Sequence, residues 1–164
     1  MEWRGIEIHP ETPLEGSLMT KRFRPEDISR MMENLRSMGA PFGIIFGDRE
    51  ILSNSHLALQ AAEFSREQGK FGPFHAALFS AYFSRGLDIG DLDLLTEIGR
   101  DAGLDAEAMR KAVQSGKYSA ALEKAKEDAT VRNVTGVPTF IIDDKKSIVG
   151  AQPLDVFRKA LRAR

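Results

Sequence analysis

The chain has three histidines, His9, His56 and His75, and no cysteine. Without a thiol it can form no thiolate, no disulfide and no cysteine–metal bond. The histidines lie far apart, without the close pairing of common zinc motifs. His9 precedes Pro10, and His75 stands between Phe74 and Ala76. Both read more simply as structural residues than as ligands, so no metal is expected. Ser53, Asn54 and Ser55 precede an apolar-periodic run and read as a helix cap rather than nucleophiles. No G-x-S-x-G elbow, phosphate loop or dinucleotide fingerprint is present. The sharpest local signal is Thr135-Gly136-Val137-Pro138-Thr139-Phe140. An X–Pro bond tolerates the cis form far better than any other, and a retained cis bond marks a tight, specified turn. Gly136 supplies backbone freedom just ahead of it. On these six residues alone, a trans proline opening a strand fits equally well.

The elements that would carry these residues follow from periodicity and punctuation. Residues 3–9 (WRGIEIH) read as a strand closed by Pro10. Residues 10–24 read as a loop. Pro25-Glu26-Asp27 has the character of a helix first turn, followed by Ile28, Met31, Met32 and Leu35 at helical spacing and stopped at Gly39. Residues 39–52 read as an ordered loop with a short strand at 44–46. Five helices follow. The first runs from Ser53-Asn54 to about Gln68. The second runs from Pro73 to Ser84, with Phe74, Ala77, Leu78 and Ala81 inward. The third starts at Asp91 or Asp93 and the fourth at Asp105. The fifth, residues 118–132, reads as a solvated helix. The pattern then changes to a strand at 138–142, a polar turn at 143–146 and a strand at 147–150. A last helix after Gln152-Pro153 has Val156, Phe157, Ala160 and Leu161 inward. Met31, Met32, Leu35 and Met38, with Phe42, Ile44, Ile45 and Phe46, read as core; if exposed, they would form a peptide or dimer surface.

Totals bound the reading. Of 164 residues, 42% are hydrophobic and 29% charged, an ordinary globular composition. A net charge of −1 argues against a nucleic-acid partner. No apolar run reaches a membrane span, and residues 1–5 do not begin a signal peptide. The expectation is a cytoplasmic protein without a membrane partner.

Several stretches together resemble one family. Residues 3–10 with Thr12-Pro13, Ser53-Asn54-Ser55 ahead of residues 59–69, and Phe74-His75-Ala76-Ala77-Leu78-Phe79 carry it. So do Asp88-Ile89-Gly90-Asp91, Ala102-Gly103-Leu104-Asp105, the segment from Thr135 to Phe140, and Gly150-Ala151-Gln152-Pro153. In order, they resemble the FrnE-type branch of the DsbA-like thioredoxin family. Kappa-class glutathione transferases and 2-hydroxychromene-2-carboxylate isomerases form a neighbouring branch. The resemblance implies an α/β, thioredoxin-like fold with an all-helical insertion: residues 1–24 and 133–164 as sheet and covering helix, residues 25–132 as insertion. It implies thiol–disulfide oxidoreductase or isomerase activity on protein or peptide substrates. The substrate strand would be held by Gly136, Val137 and Pro138. The family's first strand and Cys-x-x-C helix find no counterpart here, so the chain reads as N-terminally truncated and redox-inactive as given. Filling the gap with residues 44–46, or a homodimer that completes the sheet, are the structural alternatives. The functional alternatives are a non-catalytic peptide-binding or chaperone-like module and a glutathione-dependent isomerase or transferase, with glutathione as the one candidate cofactor.

Overall fold

The computed structural model describes residues 2–162. It divides into a unit that ends at Glu123 and a second that begins at Lys124. No helix of the described residues is long and apolar enough to cross a membrane.

The first unit opens with an extended segment, a short strand β1 (Ser17–Leu18) and a 3₁₀ turn at Met19–Lys21. Helix α1 (Pro25–Gly39) follows, with proline at its start and Glu26 and Asp27 in its first turn. Both features suit the positive, donor-rich end of a helix. Strand β2 (Ile51–Leu52) pairs antiparallel with β1. Then come α2 (His56–Glu67) and α3 (Phe71–Phe79), which continues into a π-helical turn at Ser80–Ser84. Helices α4 (Leu92–Asp101), α5 (Ala106–Gln114) and α6 (Ser119–Val131) complete the order, α6 running past the division.

The core of this unit sits among α2, α3, α4 and α5. Phe74, Leu95, Met109, Ala61 and Ala81 have no exposed surface. The small side chains on α2, Ala58, Ala61 and Ala62, let neighbouring helices approach. Gly99 does the same on α4, where an added Cβ would come within 2.7 Å of the Met109 side chain. Burying a ring such as Phe74 contributes about 1.5–3 kcal/mol. Asp91 caps α4 by accepting from Asp93 N, and Asp105 caps α5 by accepting from Ala108 N.

The second unit holds a hairpin and a helix. Strand β3 (Thr139–Ile142) pairs antiparallel with β4 (Lys146–Val149), Phe140 opposite Ile148. The reversal uses two successive residues with positive φ, Asp143 and Asp144. Aspartate tolerates that region better than most residues. Phe140 and Ile148 share one face, and Phe140 meets Phe157 of α7 (Leu154–Arg162) edge-on at 4.8 Å.

Four expectations need correction. Residues 3–9 form no strand, because the described ladders join only β1 to β2 and β3 to β4. Side-chain ties hold the segment instead. Arg66 donates to the Trp3 carbonyl at 2.6 Å, the Trp3 ring lies 5.2 Å from that of His75, and Glu7 pairs with His56 at 3.0 Å. Residues 44–46 form no strand either; Phe46 packs edge-on to Phe83, and the pairing falls at 51–52. Met32 is buried as expected, but Met38, Phe42, Ile44 and Ile45 are exposed, Phe42 at 80%. On α7 no residue is buried, and Val156 and Leu161 face solvent.

Candidate functional site

Residues 132–138 lead from the end of α6 into β3. Asn133 carries the positive φ (53°) that ends the helix, and Val134 N donates back to Ala129 O. Gly136 is not in the left-handed region, and an added Cβ would meet only Val149 Cγ1 at 3.9 Å. The backbone freedom expected of Gly136 is therefore used three residues earlier, at Asn133. The Val137–Pro138 peptide bond is cis. Thr139 Oγ1 donates to Gly136 O at 2.5 Å, closing the loop, and Gly150 N donates to Pro138 O at 2.7 Å, extending the hairpin by one rung. Val137 lies just outside that ladder. Its backbone N–H and C=O bond to none of the described residues, and its side chain is 50% exposed. An N–H and a C=O presented together beside an open strand edge are what an incoming extended chain pairs with. Arg132 and Asp144 meet at 2.8 Å and tie the helix end to the hairpin turn.

The structure brings Gly136, Val137 and Pro138 together at one strand start, and it separates the histidines. His9 lies 3.5 Å from Glu11, His56 pairs with Glu7, and His75 stacks between Phe71 and Phe79 at 5.1 and 4.2 Å. Burial lowers the pKa of His75, and the Arg66 charge lowers it further. No three His, Asp or Glu side chains among the described residues are grouped to hold a metal. Asn54, rather than either neighbouring serine, does the capping: its Oδ1 accepts from His56 N, and its Nδ2 donates to Thr12 O. On the opposite end of α2, Glu67 accepts from Tyr118 Oη at 2.6 Å and from Lys117 Nζ at 2.9 Å. These donors hold the Glu67 carboxyl below its usual range. Sequence reasoning missed the Phe71–His75–Phe79–Phe83 ladder, whose four-residue spacing was the available signal.

Residues 1–162 match the model of the DSBA-like thioredoxin domain. The chain belongs to that family. The DSBA-like chain is 37% identical over 167 residues to YwbO, an uncharacterized protein of Bacillus subtilis, covering 98% of this chain and 80% of that protein. It is 32% identical over 85 residues to a 2-hydroxychromene-2-carboxylate isomerase of Sphingobium xenophagum, covering 52% of this chain and 44% of the isomerase. Among solved structures it superposes on the probable DsbA oxidoreductase SCO1869 of Streptomyces coelicolor with a TM-score of 0.86 and 24% identity, covering 98% of this chain and 73% of that one. That likeness fixes a thioredoxin-like fold, with helices as its dominant element.

Proposed function

We propose that this DSBA-like chain binds an extended polypeptide strand at Val137 and Pro138, as the substrate-holding part of FrnE-type thiol–disulfide exchange. The observation that carries the reading is the pair of unbonded backbone groups of Val137 beside an exposed proline at the head of β3. The 164 residues contain no cysteine, so any thiol that takes part is supplied from outside them. By themselves they hold a substrate and leave its disulfides unchanged. On this reading residues 1–24 and 133–164 belong to the thioredoxin-like part, and residues 25–132 to the insertion.

The test is a titration of the chain with an unfolded, reduced peptide, followed by amide NMR. Shifts centred on residues 136–140 are expected. Val137→Pro removes the N–H donor and weakens binding by about tenfold, the effect of losing roughly one hydrogen bond. Saturable binding that moves only amides elsewhere would rule the site out. A second reading, a glutathione-dependent isomerase, is favoured by the match to the isomerase over 85 residues. Glutathione that binds at the same amides in preference to peptide would select it. Self-association that moves those amides would select a homodimer paired along β3.

A further inference from the structure

Three arginines among the described residues are half-buried: Arg49, Arg66 and Arg110. Arg66 meets Glu63 and Arg110 meets Asp93. Arg49 meets no carboxylate of a described residue. Its guanidinium carbon lies 4.2 Å from the centroid of Tyr82 and 5.4 Å from that of Phe83. Its Nε is buried without a hydrogen-bond partner. The stack on two rings holds the cation and orients it, and the Tyr82 hydroxyl lies within its reach, but neither ring supplies a counter-charge and Nε stays without an acceptor. A partly desolvated guanidinium without a counter-charge is costly to keep, and it is a strong donor for any anion that reaches it.

The local backbone keeps Arg49 in place. Residues 47–48 cross residues 84–86 at backbone contact: Gly47 N donates to Phe83 O at 3.0 Å, and a Cβ at Gly47 or Gly86 would strike Ser84 O or Asp48 O. Arg49 also lines a groove of about 360 Å³ between β1, the start of α1 and β2. Its apolar walls are Leu18, Met19, Pro25 and Ile28. The hydroxyl of Ser29 is committed to Pro25 O at 3.0 Å. The volume falls in the range of small-ligand sites. Glu50 lies on the same groove and is exposed, which weighs against polyanions such as phosphate.

We propose that Arg49 and this groove bind a small monocarboxylate with an apolar body, the carboxylate on the guanidinium and the body against Leu18, Met19 and Ile28. The site lies in the first unit and does not depend on the Val137 reading. Calorimetric titration of the full chain with 4-phenylbutyrate, 4-phenylbutyramide and inorganic phosphate tests it. The acid is expected to bind about tenfold or more tightly than the amide, since only the acid makes a charge-assisted pair, and phosphate is expected not to compete. Arg49→Gln should make acid and amide equal. Ile28→Trp, which fills the groove and leaves Arg49 intact, should abolish binding of both. Equal affinity of acid and amide on the unsubstituted chain, absence of binding, or an acid preference that survives Arg49→Gln each overturns the proposal. The comparison of acid with amide needs no variant, so a misfolded Arg49→Gln would not spare it.

Discussion

Asp105 offers a clean measure of what one side chain does here. It accepts from Ala108 N at 2.9 Å and satisfies one of the donors left open at the start of α5. Asp105→Ala should cost about 1 kcal/mol of unfolding free energy in urea titrations. His75 yields a prediction of sign. Its folded pKa lies below its unfolded value near 6.5, so on acidification the unfolded chain takes up the proton first. Stability should therefore fall as pH drops through the unfolded pKa, and level off once the folded histidine also protonates. Arg66, on the neighbouring helix, adds to the effect in the same direction. His75→Phe keeps the ring stack with Phe71 and Phe79 and should flatten the dependence of Tm on pH between neutrality and pH 5. An unchanged slope would place the titration elsewhere.

At the scale of elements, the glycines separate into those a side chain can replace and those it cannot. Gly72 lies in the first turn of α3 with nothing within 4 Å of an added Cβ. Gly72→Ala should raise stability by about 0.5–1 kcal/mol by restricting the unfolded chain. Gly86 has a φ of 65° and faces Asp48 O, so Gly86→Ala should cost about 1–3 kcal/mol. Thermal melts of the two variants should move in opposite directions. The helices were legible because their signals are local: Asp91 and Asp105 as caps, Gly103 and Gly116 as stops, apolar residues at helical spacing. The cis bond before Pro138 was one of two readings open on six consecutive residues, and it was the resemblance along the whole chain that singled out Gly136, Val137 and Pro138 as the candidate site. The strands were less legible. Residues 3–9 alternate like a strand, but a ladder needs a neighbour, and periodicity says nothing of whether one is present. The pairing of Ser17–Leu18 with Ile51–Leu52 involves two residues a side, too few to show a period. Arg49 was invisible because its distinction is a guanidinium on two rings without a carboxylate of a described residue beside it, a property only three dimensions reveal.

Across the whole molecule, burial is unevenly shared. Among the described residues the buried apolar side chains lie at or before Leu122, except Ile148. Local opening should follow that division. Amide hydrogen exchange is expected to be slowest on α2, α4 and α5, and faster by orders of magnitude across β3, β4 and α7. Equal protection in the two units would show that they open together. The contact of Trp3 with His75 has an optical consequence. Trp3 is the only tryptophan, and imidazolium quenches indole emission more strongly than neutral imidazole. Acidification should dim the chain as His75 charges, and anything that lifts residues 2–9 from α3 should brighten it. The protein thus contains its own fluorophore at the place where its N-terminal segment docks.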